Sequence, residues 1–173
     1  MKKFVGIVAV SNNFVIGYET GELPWNLASD LKHFAKTTTG HAVIVGNNTW
    51  QNIIENADNI NGVYKRLPNR KIYVLSSKAD NKTYEAEIDG KIYSQTYLNF
   101  ENLKNFIETE SDETVYVIGG AKIYSLLADF TSEFIVTYVD TVIDENKKPV
   151  VKFDRSILKK FNNIEQLYSC SDD

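Results

Sequence analysis

Residues 15–34 read Val15-Ile16-Gly17-Tyr18-Glu19-Thr20-Gly21-Glu22-Leu23-Pro24-Trp25-Asn26-Leu27-Ala28-Ser29-Asp30-Leu31-Lys32-His33-Phe34. Leu27, Asp30, Leu31 and Phe34 recur at the spacing of one helix face, which predicts an amphipathic helix over residues 27–36. Asp30 then points where the apolar side chains point. A carboxylate there is costly to bury unless a cation or a hydrogen-bond donor meets it. On that residue alone two readings stand. It is a working acid in an apolar cleft, or an acid in a first helical turn, where the helix dipole favours negative charge.

Around this helix, short β-branched or aromatic runs alternate with helical patterns. Strands are predicted at residues 4–10, 42–45, 72–76, 115–118, 134–139 and 164–169, with further helices at 49–55, 100–108 and 121–128. The strands are almost continuously apolar, as strands covered on both faces are, so the chain reads as α/β with a mostly parallel sheet between helices. Residues 56–65 and 79–90 are polar and read as surface connections. There is no repeat, low-complexity tract or linker, so residues 1–173 are expected to form one domain.

The 173 residues are 43% hydrophobic and 24% charged, ordinary for a soluble globular chain large enough for one substantial core. The net charge of −4 offers no global attraction to nucleic acid or an acidic membrane. Cys170 stands alone and can form no internal disulfide. The start, Met1-Lys2-Lys3 and an apolar run to Val10, leads into Ser11-Asn12-Asn13 without a small-x-small cleavage site, so a buried first strand is the better reading. No segment is long and apolar enough to span a bilayer, and a cytoplasmic location is expected. His33 and His41 have no companion at metal-ligand spacing, so no metal is expected.

Further motifs follow in order: Gly46-x-x-Thr49-Trp50, Leu67-Pro68-x-Arg70-Lys71, Leu75-Ser76-Ser77, Ile118-Gly119-Gly120-x-x-x-Tyr124 and Thr137. With Ile16-Gly17, Leu23-Pro24-Trp25-Asn26, Asp30-Leu31 and Phe34, this set closely resembles the dihydrofolate reductase family over roughly residues 4–140. The resemblance implies that family's fold, a central mostly parallel twisted sheet with helices on both faces, closed by a C-terminal antiparallel hairpin. It also implies NADPH-dependent reduction of 7,8-dihydrofolate to 5,6,7,8-tetrahydrofolate, and a monomer that takes dihydrofolate and antifolate-like molecules.

By the same resemblance, Asp30 receives the paired N–H donors of the pterin edge, Trp25 holds an ordered water, and Thr137 hydrogen-bonds the Asp30 carboxylate. Val8, Ala9, Leu31, Phe34, Ile53 or Ile54, Leu67, Ile118 and Tyr124 line the substrate site, and Arg70 grips the glutamate carboxylate with its planar fork. Ala9, Ile16 and Gly17 lie near nicotinamide and ribose. Gly46, Asn47, Asn48 and Thr49 face phosphate, while Ser76, Ser77 and Lys78 flank the adenosine. Ile118, Gly119, Gly120, Ala121, Lys122, Ile123 and Tyr124 form the second cofactor segment, with a cis Gly119–Gly120 peptide expected. Adjacent glycines before a helical run also allow close backbone approach to a phosphate on physical grounds alone, although no Gly-x-Gly-x-x-Gly fingerprint is present.

Three departures from the family pattern stand out. Asn47-Asn48 occupy the place of a basic residue, which predicts a narrowed preference for NADPH over NADH. Residues 144–149 lack a Gly-Asp-Thr pattern. Only one strand-like run follows residue 140, so the closing hairpin is expected to be shortened. The rival readings are a riboflavin-pathway pyrimidine or pterin reductase of the same fold, against which Asp30 after Pro24-Trp25 argues, and an inactive nucleotide-binding relative.

Overall fold

The apolar run at the N-terminus forms strand β1 (Lys3–Val10), buried along almost its whole length. The computed structural model describes residues 3–109, 114–166 and 169. After β1 come β2 (Val15–Tyr18), α1 (Ala28–Thr38), β3 (Ala42–Gly46), α2 (Asn47–Ile53), β4 (Asn59–Ile60), β5 (Val63–Tyr64), β6 (Arg70–Leu75), β7 (Thr83–Ile88) and β8 (Lys91–Leu98). A 3-10 turn at Phe100–Asn102 leads into α3 (Leu103–Thr109), and then follow β9 (Thr114–Val117), α4 (Ala121–Leu126), β10 (Thr131–Tyr138) and β11 (Val150–Lys152).

Seven strands make one sheet in the order β10-β1-β9-β3-β6-β8-β7, parallel throughout except for the antiparallel β7–β8 pair. This is the expected α/β architecture. Two apolar clusters cover its faces. One joins Phe4, Ile44, Val117, Tyr124, Leu127 and Phe153, and the other packs Trp50 of α2 and Ile54 on Val43, Val45, Ile72 and Val74.

Three elements depart from the expectations. Residues 79–90 are not merely a connection, because Thr83–Ile88 pairs with Lys91–Leu98 as a hairpin at the sheet edge. Strand β8 went unread because it carries a polar residue at its centre. Gln95 is fully buried, and its side-chain amide bonds the backbone of Tyr64 twice, at 2.9 and 2.7 Å. A buried amide so satisfied avoids the desolvation cost that makes such a residue look superficial.

The strand expected at residues 164–169 does not form over its described part. Ile164 and its neighbours to Gln166 have no regular structure, and Ile164 is almost fully exposed; Leu167 and Tyr168 lie outside the described residues. In its place β11 pairs antiparallel with β2, away from the main sheet. Among the described residues nothing pairs with the outer edge of β10.

Candidate active site

Because β1, β3, β6, β9 and β10 run parallel, their carboxyl ends meet at one edge of the sheet, the usual place for a ligand crevice in an open α/β sheet. A cleft of about 1210 Å³ opens there. Val8 and Ala9 of β1, Thr137 of β10 (paired with Ala9), Ile118 just beyond β9, and Tyr124 line it.

Helix α1 supplies one wall. It starts at Ala28 with no side-chain cap from Leu27, so Asp30 falls in its first turn and also faces the cleft with Leu31 and Phe34. Asp30 therefore stands at once in a first helical turn and on the cleft wall. Asp30 is half-buried, whereas Leu31 is 55% exposed, an apolar side chain left at the cleft mouth. The Asp30 charge reaches Tyr124: burial above all pushes the Tyr124 phenol well above its ordinary value, and Asp30 adds to the shift. The same phenol donates to the Ile7 carbonyl at 2.6 Å, so Tyr124 stays neutral and fixed. Trp25 also lines the cleft, and its indole Nε1 is a buried donor without a hydrogen-bond partner in the protein. A buried N–H left so is costly and is a natural contact for a bound polar atom.

The other wall joins the starts of α2 and α4. The Gly46 amide donates to the Gly119 carbonyl at 2.8 Å, and the Gly119–Gly120 peptide is cis, as expected. The two backbones approach so closely that a Cβ on Gly46 would lie 2.7 Å from Ile123 Cγ1, and one on Gly120 would lie 2.9 Å from Thr49 Oγ1. Asn47, Asn48 and Thr49 thereby stand beside Ala121, Lys122 and Ile123, all lining the cleft. Ser76 and Ser77 after β6, Ile53 of α2 and Leu67, and Ile16 and Gly17 of β2 also line it.

Four of the expected residues are not in the lining. Ile54 is buried in the cluster around Trp50, because α2 turns Ile53 and not its neighbour to the cleft. Lys78 is exposed beyond Ser77, where the chain turns away from the sheet. Gly119 contributes only its backbone link to Gly46. Arg70 lies behind Phe34, its guanidinium 5.9 Å from the ring centroid, with Nε donating to the Pro68 carbonyl and Nη1 to Thr38 Oγ1, both at 3.0 Å. It is 8% exposed, burial holds its pKa below the usual arginine value, and no ion pair with an acid is seen among the described residues.

The cleft also takes in residues that sequence reasoning missed: Ile7, Tyr18, Glu19, Gly21, Leu23, Asn52, Leu75, Phe100 and Val151. Leu75 had a signal, since it ends a strand just before Ser76-Ser77. Val151 had none, because only its pairing with Gly17 brings it near. The β2 side is held by a distant segment: Asn12 N–H bonds the Thr141 carbonyl, Glu19 N–H the Pro149 carbonyl, and Asn13 Nδ2 the Ile143 carbonyl. That segment grips the cleft wall despite lacking Gly-Asp-Thr.

The family model described as dihydrofolate reductase matches residues 3–172. The chain belongs to the dihydrofolate reductase family. It is 32% identical over 142 residues to the dihydrofolate reductase HdrB of Haloferax volcanii (80% of this chain, 66% of that protein). It is 32% identical over 134 residues to the dihydrofolate reductase of Buchnera aphidicola subsp. Acyrthosiphon pisum (78% and 70%), and 34% over 140 residues to that of Mycobacterium leprae (80% and 74%). The matches thus span about two thirds to three quarters of these relatives. A solved dihydrofolate reductase from Enterococcus faecalis, in complex with NADP(H) and RAB-propyl, shares the fold: TM-score 0.65, 22% identity, 89% of this chain and 80% of that one covered.

The residues present fit the family's dinucleotide. A cleft of this volume accommodates two ligands side by side. Its α2–α4 wall offers first-turn N–H groups that no helix carbonyl can reach, and the Lys122 side chain lies among them.

Proposed function

We propose that this chain reduces 7,8-dihydrofolate to 5,6,7,8-tetrahydrofolate with NADPH, acting as one domain with Asp30 as the acid that holds the pterin. The observation that carries the reading is that Asp30 and the paired-glycine segment line the same cleft. NADPH, when bound along Gly46–Thr49, Ser76, Ser77 and Gly120–Tyr124, supplies the hydride for C6 of the pterin, while N5 takes a proton from solvent.

The chain's own groups set up that transfer. The Asp30 carboxylate accepts two parallel hydrogen bonds from the amidine-like pterin edge, fixing its plane. Thr137 donates to Asp30 and restricts its rotamer. The Trp25 indole N–H holds a water near the pterin, so Asp30 directs the proton through orientation and that water. Leu31, Phe34 and Ile53 exclude bulk water and clamp the benzoyl ring, and Arg70 presents its unused N–H groups to the glutamate carboxylate behind Phe34.

We further propose a monomer in the cytoplasm that takes small molecules, dihydrofolate and antifolate-like inhibitors among them, and neither nucleic acid nor membrane. The charge of −4 supports the exclusion of nucleic acid. No helix among the described residues is long and apolar enough to cross a membrane.

The test is dihydrofolate-dependent oxidation of NADPH, repeated with Asp30→Asn. The variant is expected to lose on the order of 100-fold or more in kcat/KM at neutral pH, the scale of positioned acid–base groups, and to recover part of it at low pH, where the substrate is already protonated. Wild-type protein that consumes NADPH only with a pyrimidine substrate, or not at all, would sink the reading.

A further inference from the structure

The side of α3 that meets the sheet is polar where packing alone would have it apolar. Asn102, Asn105, Phe106 and Thr109 follow one another at i, i+3, i+4, i+7 spacing from the 3-10 turn into α3, the stripe a surface helix normally keeps apolar. Only Phe106 fits that rule and is buried. The other three line a pocket of about 370 Å³ with Lys71 and Tyr73 of β6, Leu98 of β8, and Asn81. That volume is within the range of small-molecule sites, about 300–1,000 Å³. None of its lining residues belongs to the cleft.

The pocket has two chemically different ends. Helix α3 carries the chain from the end of β8 back to the start of β9, and Lys71 stands level with Val115 there, since both pair with Ala42. Lys71 and Thr109 therefore mark the end away from the cleft, and Asn81, Leu98 and Asn102 the end beside it. The floor between them is aromatic, with the ring centroids of Tyr73 and Phe106 4.4 Å apart. Lys71 is the one cation, and no acid stands among the described lining residues. The Asn102 and Asn105 side chains hold no hydrogen bond among the described residues; only their backbone groups are engaged. A lysine supplies a point charge for a phosphate. Carboxamides donate and accept, as sugar hydroxyls do.

One wall is shared with the cleft. Leu98 and Asn102 line the pocket, while Phe100 between them lines the cleft. The Leu98 carbonyl accepts from the Ser76 N–H at 2.9 Å, and Ser76 is itself a cleft residue. On the pocket side, Asn81 Oδ1 accepts from the Asn99 N–H at 3.1 Å, and Asn99 Oδ1 accepts from the Asn102 N–H at 3.0 Å.

We infer that this pocket is a second ligand site, for a small sugar phosphate, and that its occupancy is felt in the cleft through residues 98–102. The phosphate lies at Lys71 and Thr109, and the hydroxyls meet Asn105, Asn102 and Asn81. The site stands apart from the proposed reaction; only the relay rests on the cleft's taking a dinucleotide.

The experiment is calorimetric titration of the intact chain with glucose 6-phosphate, fructose 6-phosphate and ribose 5-phosphate, with glucose and inorganic phosphate as controls. At least one ester should bind about tenfold or more tighter than both controls. Lys71→Met should weaken that ester by about tenfold or more, and Asn105→Ala by about two- to tenfold, the scales of charged and neutral hydrogen bonds. Asn105→Ala also favours the helix and should leave NADPH oxidation in the absence of ester unchanged. The bound ester should alter NADPH affinity, and NADPH should alter ester affinity by the same factor. Binding of no ester, binding no tighter than inorganic phosphate (an adventitious ion only), or wild-type ester affinity in both variants overturns the site. Ester binding with unaltered NADPH affinity overturns the relay. Absence of dihydrofolate-dependent NADPH oxidation sinks the proposed reaction instead, and the ester titration still decides the site.

Discussion

Replacing Arg70 with Met should leave the fold nearly as stable as before while loosening the grip on the folate tail. On the fold side, the change removes two hydrogen bonds, to Pro68 and Thr38, and a cation placed over the Phe34 ring. Net values of about 1 kcal/mol per bond and about 0.5–1 kcal/mol for the ring contact put the loss near 3 kcal/mol. Against it stands the release of a guanidinium that is only 8% exposed and lacks an acidic partner among the described residues. Effective desolvation costs for such an ion are several kcal/mol. The two sides nearly cancel, and thermal unfolding should shift by only a few degrees.

On the ligand side nothing cancels. Two of the five N–H bonds of the guanidinium are used among the described residues, and the glutamate carboxylate would engage others. Losing a charge-assisted contact worth about 1.5–3 kcal/mol raises KM for dihydrofolate by about 10- to 150-fold, with kcat little changed. Steady-state kinetics with dihydrofolate and with a dihydropterin lacking the glutamate provide the assay, since the truncated substrate should not feel the change. A KM rise of equal size for both substrates would refute the reasoning and make Arg70 a structural residue.

Gly21 has φ +94°, and a Cβ there would come within 2.0 Å of the Asn52 side chain. Gly21→Ala should raise KM for both ligands, and Asn52→Ala in the same chain should relieve only the clash, leaving backbone strain of about 1 kcal/mol; full rescue would count against the strain. Gly46→Ala should cost about 1–3 kcal/mol of stability by overpacking against Ile123, read by denaturant unfolding. Tyr124 is raised by burial, so it stays neutral in the fold while the unfolded chain ionises near pH 10. Its contribution is therefore whole below pH 10 and is lost as pH rises beyond it. Tyr124→Phe should flatten the alkaline fall in stability, and an unchanged slope would exclude Tyr124 as its source.

The parallel strands were legible because they are buried on both faces and so read as unbroken apolar runs. The Asp30 helix was legible because one face of it meets the cleft. What escaped notice was set by tertiary pairing. Gln95 looks polar in isolation and becomes a core residue only through the Tyr64 backbone. Val151 belongs to the cleft only through the β2–β11 ribbon. Ile53 and Ile54 are indistinguishable by type, and a helix phase set by Trp50 burial decides between them. Arg70 was placed by its motif, but its position behind Phe34 depends on the end of α1.

Strand β1 precedes both of its sheet neighbours by a long stretch of chain. Strand β1 lies between β9 and β10, so its neighbours are residues 114–117 and 131–138. During synthesis the greasy stretch Phe4–Val10 must wait, unpaired on both flanks, until more than a hundred further residues have left the ribosome. Such late, long-range closure is slow and exposed to misassociation. Competence to bind folate should therefore switch on abruptly once residues up to 138 have emerged, and nascent chains halted before residue 138 should be clients of holding chaperones.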